Sequence, residues 1–196
     1  MKTVVSLATA LLLVTLSAAG TENLVVNPEF DTDLDGWSPY GGTWSPEDWQ
    51  ASPTSGSATR TLATGGASVP IADQCVDLAG APAFEYTLSA QVYMPSGQTG
   101  TGSAHLSVGW FSSPGCITQI GGDDSPQVST TGDWLETVGR YQPPTGAVSL
   151  HLGVYLWTQT SGGFQAYTDH VVLISSGIFT DGFESGDLGA WSGSIP

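Results

Sequence analysis

Strict alternation between Val148 and Trp157 is the feature that most constrains the fold of this chain. Every second residue of the segment is aliphatic, namely Val148, Leu150, Leu152, Val154 and Leu156. The residues between them are polar, small or aromatic, namely Ser149, His151, Gly153, Tyr155 and Trp157. Successive side chains of a β-strand point to opposite faces of a sheet. The segment is therefore predicted to be a strand with a buried aliphatic face and an outer polar and aromatic face.

Two further segments, 86–94 and 105–111, alternate in the same way. Their predicted inner residues are Leu88, Ala90, Val92 and Met94 in the first and Leu106, Val108 and Trp110 in the second. Clusters rich in glycine and proline separate such runs, and no segment after the N-terminal apolar run has a sustained helical period. The sequence predicts an all-β fold, a two-sheet antiparallel jelly-roll sandwich of about eight strands.

The first twenty residues have the pattern of a secretory signal peptide. Met1 and Lys2 precede an apolar run, Val4 to Ala19, that ends in small residues. We therefore expect a signal peptide at residues 1–20, one domain at 21–175, and a separate C-terminal tail at 176–196. The expected location is extracellular.

The charge of the chain excludes several classes of partner. Removing Lys2 takes the formal net charge from −15 to −16 and leaves Arg60 and Arg140 as the only basic side chains beside 18 acidic ones. Nucleic acid and anionic membranes are therefore not expected as partners, and acidic glycans are disfavoured. A neutral partner or a cation suits this charge, and we expect a monomer.

Cys75 and Cys116 are the only cysteines. In an exported protein an isolated pair most often forms a disulfide. Metal ligation by the two thiols is the alternative, which is weaker because no other cysteine or histidine lies at ligand spacing.

Two segments resemble the first and last strands of the jelly-roll carbohydrate-binding modules found on bacterial cellulases and xylanases. The first runs from Asn23 through Asn27-Pro28-Glu29-Phe30-Asp31 to Gly36-Trp37, and the second is Phe164 to Leu173, which contains Tyr167-Thr168-Asp169-His170-Val171. The resemblance covers residues 23–175. It implies a bacterial, non-catalytic module that binds carbohydrate.

The same resemblance implies a structural calcium ion between Asp31 and Asp169. Here Asp31 replaces the usual glutamate, and Asp169-His170 replaces the usual pair of aspartates. The segment from Asp31 to Gly36 also matches the first half of a D-x-D-x-D-G calcium loop, but its second half fails, since Gly42 stands where a bidentate glutamate is required. A solvated acidic turn is the alternative.

The outer aromatic residues are the best candidates for a ligand surface. Sugar rings pack on aromatic planes, while histidine and amide side chains can bind hydroxyl groups. The predicted ligand-binding residues are Gln91, Tyr93, Phe111, His151, Tyr155 and Trp157. Trp37, Trp110 and Trp134 are predicted to lie in the core. Alternatively, a loop covers the outer face and its aromatic residues form a second small core.

No catalytic motif is present, and adjacent acidic pairs such as Glu47-Asp48 are expected to be solvated in loops. The predicted function is non-catalytic binding of a neutral polysaccharide on an aromatic-lined sheet face. The alternatives are a calcium-stabilised extracellular structural or adhesive domain without a sugar site, and a small hydrolase or lyase.

Overall fold

The computed structural model describes residues 22–38, 40, 42–78 and 85–176. The predicted signal peptide, 1–20, lies outside the described residues. So does the predicted tail, except for Ser176, which ends the last strand. The described residues contain no helix that is long and apolar enough to cross a membrane.

Nine strands form two antiparallel sheets, which confirms the predicted all-β sandwich. The strands are β1 (Thr43–Ser45), β2 (Ser57–Leu62), β3 (Ser68–Asp77), β4 (Glu85–Tyr93), β5 (Gly102–Phe111), β6 (Gln119–Asp124), β7 (Trp134–Tyr141), β8 (Ser149–Thr158) and β9 (Phe164–Ser176). Sheet A has four strands in the order β3-β8-β5-β6, and sheet B has five in the order β1-β2-β9-β4-β7.

The core lies between the sheets and is built from the predicted aliphatic faces. On β8 the side chains of Leu150, Leu152, Val154 and Leu156 are fully buried, and the predicted inner residues of β4 and β5 are 2% exposed or less. Val148 lies just before β8 and is half-buried. Alternation thus identified which side of these strands faces the opposite sheet.

A bulge interrupts β9 beside β4. Gln91 pairs with Asp169 while Ser89 pairs with Val172, so β9 carries one extra residue. His170 in the bulge has a φ of 47°, in the left-handed region. A bulge re-aims the side chains around it, and here the neighbouring Asp169 is fully buried.

Two predictions about tryptophan hold and one is wrong. Trp37 and Trp110 are buried in the core, with 6% and 1% exposure. Trp134 is half-buried on the outer face of sheet B, opposite Tyr93, because it begins the edge strand β7.

Candidate functional site

The outer face of sheet A carries four of the six predicted ligand-binding residues. His151, Tyr155 and Trp157 lie on β8 and Phe111 lies on the neighbouring β5, all on the side away from the core. Each of the four is partly exposed. This face is therefore open to solvent at its aromatic residues.

The other two predicted ligand residues lie elsewhere. Tyr93 and Gln91 are on β4 in sheet B, on its outer face, so the expected single row joining them to β8 is wrong. Tyr93 lies instead between Trp134 and Tyr167, with ring centroids 5.5 and 5.7 Å apart. Alternation gives the face of a strand, but it does not say which sheet the strand joins.

A row of short side chains crosses the middle of sheet A between two acids. Asp73 on β3 pairs with Gly153 on β8, Gly153 pairs with Ser107 on β5, and Ser107 pairs with Asp124 on β6. The Cα atoms of the two acids are three strand spacings apart, or about 14 Å. We call this row, Asp73–Gly153–Ser107–Asp124, the trough.

Gly153 in the trough leaves room for an aromatic ring that lies against it. A Cβ atom on Gly153 would lie 2.8 Å from Cε2 of Tyr155 and 3.3 Å from Cβ of Asp73. A Cβ atom on Gly109, two residues beyond Ser107 on β5, would lie 3.1 Å from Cε2 of Phe111. Both rings therefore fold back along their strands over a glycine, which keeps the floor of the face low.

Asp73 lies at one end of the trough, where it is 2% exposed. Its Oδ2 contacts Nε2 of His151, while its Oδ1 is buried without a hydrogen-bond partner. A buried polar atom left unpaired costs about 1–3 kcal/mol, so such an atom calls for an explanation.

His105 supplies a second unpartnered atom beside the trough. It is 6% exposed, its Nδ1 has no partner, and its ring stacks on Tyr155 with centroids 5.6 Å apart. Burial lowers the pKa of His105, opposed by the negative charge of Asp124. The pKa of Tyr155 is raised, first by burial and then by the charges of Asp73 and Asp124. Both acids are thus close enough to act on this ring cluster.

The disulfide closes one end of the same face. Cys75 and Cys116 are bonded, which confirms the predicted pairing, and they join β3 to the loop between β5 and β6. That loop crosses over β8: the N–H of Cys116 donates to the Ser149 hydroxyl at 3.2 Å, and the N–H of Gly115 donates to Asp77 Oδ1 at 2.8 Å. Ser149 is fully buried beneath it. The loop therefore covers one end of the face only.

At the opposite edge of sheet A the trough runs into a cleft. The cleft has a volume of about 560 Å³ and opens between the edge strands β6 and β7, where Asp124 and Arg140 both line it. Arg140 lies 3.8 Å from Glu85.

The predicted metal residues Asp31 and Asp169 have different surroundings. Asp169 is fully buried, and its Oδ2 accepts the N–H of Trp49 at 3.1 Å. Its side-chain neighbour is Asp48, which contacts it. Asp31 is exposed and lines a small cleft with Ser55, whose hydroxyl donates to Asp48 at 2.6 Å.

The Asp48–Asp169 contact puts two carboxyl groups together in a buried place. Burial raises the pKa of Asp169 to about 7, although two backbone N–H groups favour its charged form. Burial would also raise the pKa of Asp48, but hydrogen bonds from Ser55, Ser52 and Gln50 hold it below its ordinary value. Facing oxygen ligands of this kind suit a hard cation such as calcium. The described residues contain no group of three or more histidine, cysteine or acidic side chains that could hold a metal ion.

Asp48, Asp73 and His105 were absent from the predicted site. Asp48 was expected to be solvated, yet it is 8% exposed because it caps its own loop. Asp73 lies two residues before Cys75 and so on the same side of β3, but the register shift between Pro70 and Ala72 interrupts the period of that strand. His105 alternates with the predicted inner residues of 105–111 and so falls on the outer face, but no pattern in the sequence shows that it pairs with Tyr155.

Comparisons with known proteins give the fold a context. The sequence matches no protein-family model and no curated protein. Solved structures with the same fold are mostly carbohydrate-binding modules. The CBM22-1 xylan-binding domain from Paenibacillus barcinonensis Xyn10C has a TM-score of 0.56 at 16% identity, over 82% of this chain and 99% of that one.

Two further structures extend the comparison. TmCBM61 in complex with β-1,4-galactotriose has a TM-score of 0.53 at 18% identity, covering 80% of this chain and 100% of that one. The enzymatically active domain of tailspike protein 4 from bacteriophage CBA120 has a TM-score of 0.58 at 14% identity, over 78% of this chain. This chain spans only 21% of that tailspike. The chain thus has the jelly-roll fold of carbohydrate-binding modules.

Proposed function

We propose that this protein binds a neutral polysaccharide, without cleaving it, on the outer face of sheet A. The observation that carries the proposal is the pair of buried, unpartnered atoms, Asp73 Oδ1 and His105 Nδ1, beside partly exposed aromatic rings. Once the side chains that cover these atoms move, a sugar hydroxyl can donate to the first and pair with the second, which removes the penalty of leaving them unsatisfied.

The aromatic residues supply the apolar part of such a site. Tyr155 and Trp157 follow Gly153 on β8 and lie on one side of the trough, and Phe111 lies on its other side, toward the disulfide end of the face. The C–H faces of a sugar ring pack on aromatic rings, while the small residues Gly153 and Ser107 leave room for the ring on the sheet. The binding surface of this proposal is therefore apolar at its sides and polar at its floor.

The spacing of the acids favours binding over hydrolysis. Glycosidases place two carboxyl groups about 5–9.5 Å apart across the bond that is cleaved. Asp73 and Asp124 are separated by three strand spacings, about 14 Å between Cα atoms. Asp73 is also held by His151.

The compared structures support an uncharged glycan. The Paenibacillus domain is described as xylan-binding, and TmCBM61 was solved with β-1,4-galactotriose. Both glycans are built from neutral sugars. The disulfide and the predicted signal peptide fit a secreted bacterial protein that meets such polymers outside the cell.

We also propose a structural calcium site around Asp169. Asp48 and Asp169 would hold the ion, and Asp31, which lies in the adjoining cleft and is not grouped with them in this structure, would join them only if its loop moved. The ion would neutralise buried negative charge and fix the loop of Asp48 to the bulge of β9. The rival function is a calcium-stabilised structural domain without a sugar site, and the Asp48–Asp169 contact is the observation that favours it.

The test is retention on insoluble cellulose, xylan, chitin and β-glucan. We expect the protein to be retained on at least one of them. Trp157→Ala and Tyr155→Ala should each weaken binding about tenfold, since stacking and apolar burial are worth about 1–3 kcal/mol. Tyr93→Ala, on the outer face of sheet B, is the matched control and should bind as the wild type does. Retention on none of the four polymers would favour the structural rival.

A further inference from the structure

The fully charged side chains on the outer face of sheet A are all acidic. Asp73 and Asp124 lie at the two ends of the trough. Neither arginine of the described residues lies on this face: Arg60 reaches from sheet B to the carbonyl of Pro70 at 2.6 Å, and Arg140, on β7 near Glu85, lines the cleft beyond Asp124. The only other ionisable nitrogens on the face belong to His105 and His151.

The unpartnered Oδ1 of Asp73 restricts which chemical groups of a ligand can bind there. A carboxylate oxygen only accepts hydrogen bonds, so its ligand must be a donor. A hydroxyl group offers one hydrogen, whereas a protonated amine offers three and a positive charge. Charge-assisted hydrogen bonds are about twice as strong as neutral ones, and a buried carboxylate loses little of that advantage to solvent.

The rings beside the trough favour the same group. Tyr155 is stacked against His105, and the exposed Tyr40 lies close enough for its charge to act on the Tyr155 hydroxyl. An ammonium group near the face of an aromatic ring gains a further cation–π attraction. A negatively charged acceptor, Asp73, and an aromatic ring, Tyr155, thus lie together at one end of the trough.

We infer that the trough of sheet A binds amino sugars, with the protonated amine of a β-linked glucosamine chain donating to Asp73. This inference rests on the proposed function, since it uses the same face, and it replaces the neutral polysaccharide with a basic one. The positive amines of that chain complement Asp73 and Asp124, the two acidic residues of the trough. Asp124 receives a second amine from the same chain at the other end.

Calorimetric titration with two oligosaccharides tests the inference. The probes are a glucosamine hexamer and its fully N-acetylated counterpart, which share a backbone and differ in the amine alone. The buffer contains about 0.15 M salt, which screens long-range attraction, at a pH that keeps the amines protonated. We expect the free-amine hexamer to bind about tenfold more tightly.

Three variants separate a specific contact from general attraction to an acidic protein. Asp73→Asn should abolish the preference for the amine, so that the two hexamers bind this variant equally, although both bind it more weakly than they bind the wild type. Asp124→Asn should reduce the preference about threefold, and it decides the question if Asp73→Asn does not fold. Glu136→Gln removes the same charge from the exposed outer side of sheet B and should change nothing.

The outcomes distinguish this inference from the proposed function. Equal or tighter binding of the acetylated hexamer overturns the amino-sugar inference and leaves glycan binding standing. A preference that falls equally in Glu136→Gln and Asp124→Asn also overturns it, because the attraction is then not located in the trough. If neither hexamer binds, and the neutral polymers do not bind either, the proposed function fails too.

Discussion

Removing the Cys75–Cys116 disulfide tests how the closed end of the face is held. The bridge spans 41 positions of sequence, so its loss frees the unfolded chain of a loop constraint worth about 4 kcal/mol. Cys75 is exposed on the outer side of β3, so Cys75→Ala with Cys116→Ala removes little core packing. Loop-closure entropy should therefore dominate the change in the free energy of unfolding.

The expected change is large enough for a melting experiment. A domain of about 150 residues has an unfolding entropy near 0.3 kcal/mol/K, so the loss of about 4 kcal/mol lowers the Tm by about 12 °C. Differential scanning calorimetry of the double variant and of the reduced wild type should give similar values. Ile117→Ala in the same loop is the control and should leave the Tm unchanged, because Ile117 is 79% exposed. A shift below about 3 °C in the double variant would refute the reasoning.

Three further predictions concern the sites described above. Calcium in the millimolar range should raise the Tm of the wild type by mass action but not that of Asp169→Asn, and equal melting in calcium and in chelator would count against the metal site. Burial lowers the pKa of His105, so the stability that its neutral form contributes is present above the unfolded pKa of about 6.5 and is lost as pH falls below it. Between pH about 7 and about 5, the free energy of unfolding measured with urea should fall less for His105→Asn than for the wild type. Equal decreases in the two proteins would contradict this prediction. Gly153→Ala should displace the Tyr155 ring and weaken glycan binding about tenfold with a Tm change of only a few degrees, whereas unchanged affinity would mean that the ring does not define the site.

Much of the sandwich could be predicted from sequence because its inner faces repeat with a period of two. Leu152 and Leu106 are buried as the period requires. The period does not say which strands pair, since pairing depends on the chain path through both sheets. Tyr93 was therefore placed with Tyr155, although the two lie on opposite sides of the molecule.

The site was harder to predict because the positions of its polar side chains depend on irregularities in the strands and on contacts with loops. In β3 the register shifts between Pro70 and Ala72, which hides the period that places Asp73 outward. In β9 the bulge at His170 lets Asp169 be buried beside the loop of Asp48, in which Trp49 is 120 positions earlier in the sequence than Asp169. Bulges and loop contacts of this kind have no short-range pattern in sequence.

The most direct measurement is a map of amide shift changes on titration with a soluble oligosaccharide of the polymer that retains the protein. The account predicts that the largest changes fall on β8 and β3 around Gly153 and Asp73, with no comparable change on sheet B. Changes centred instead on Tyr93 and Trp134 would place the ligand on the opposite face and contradict the central claim.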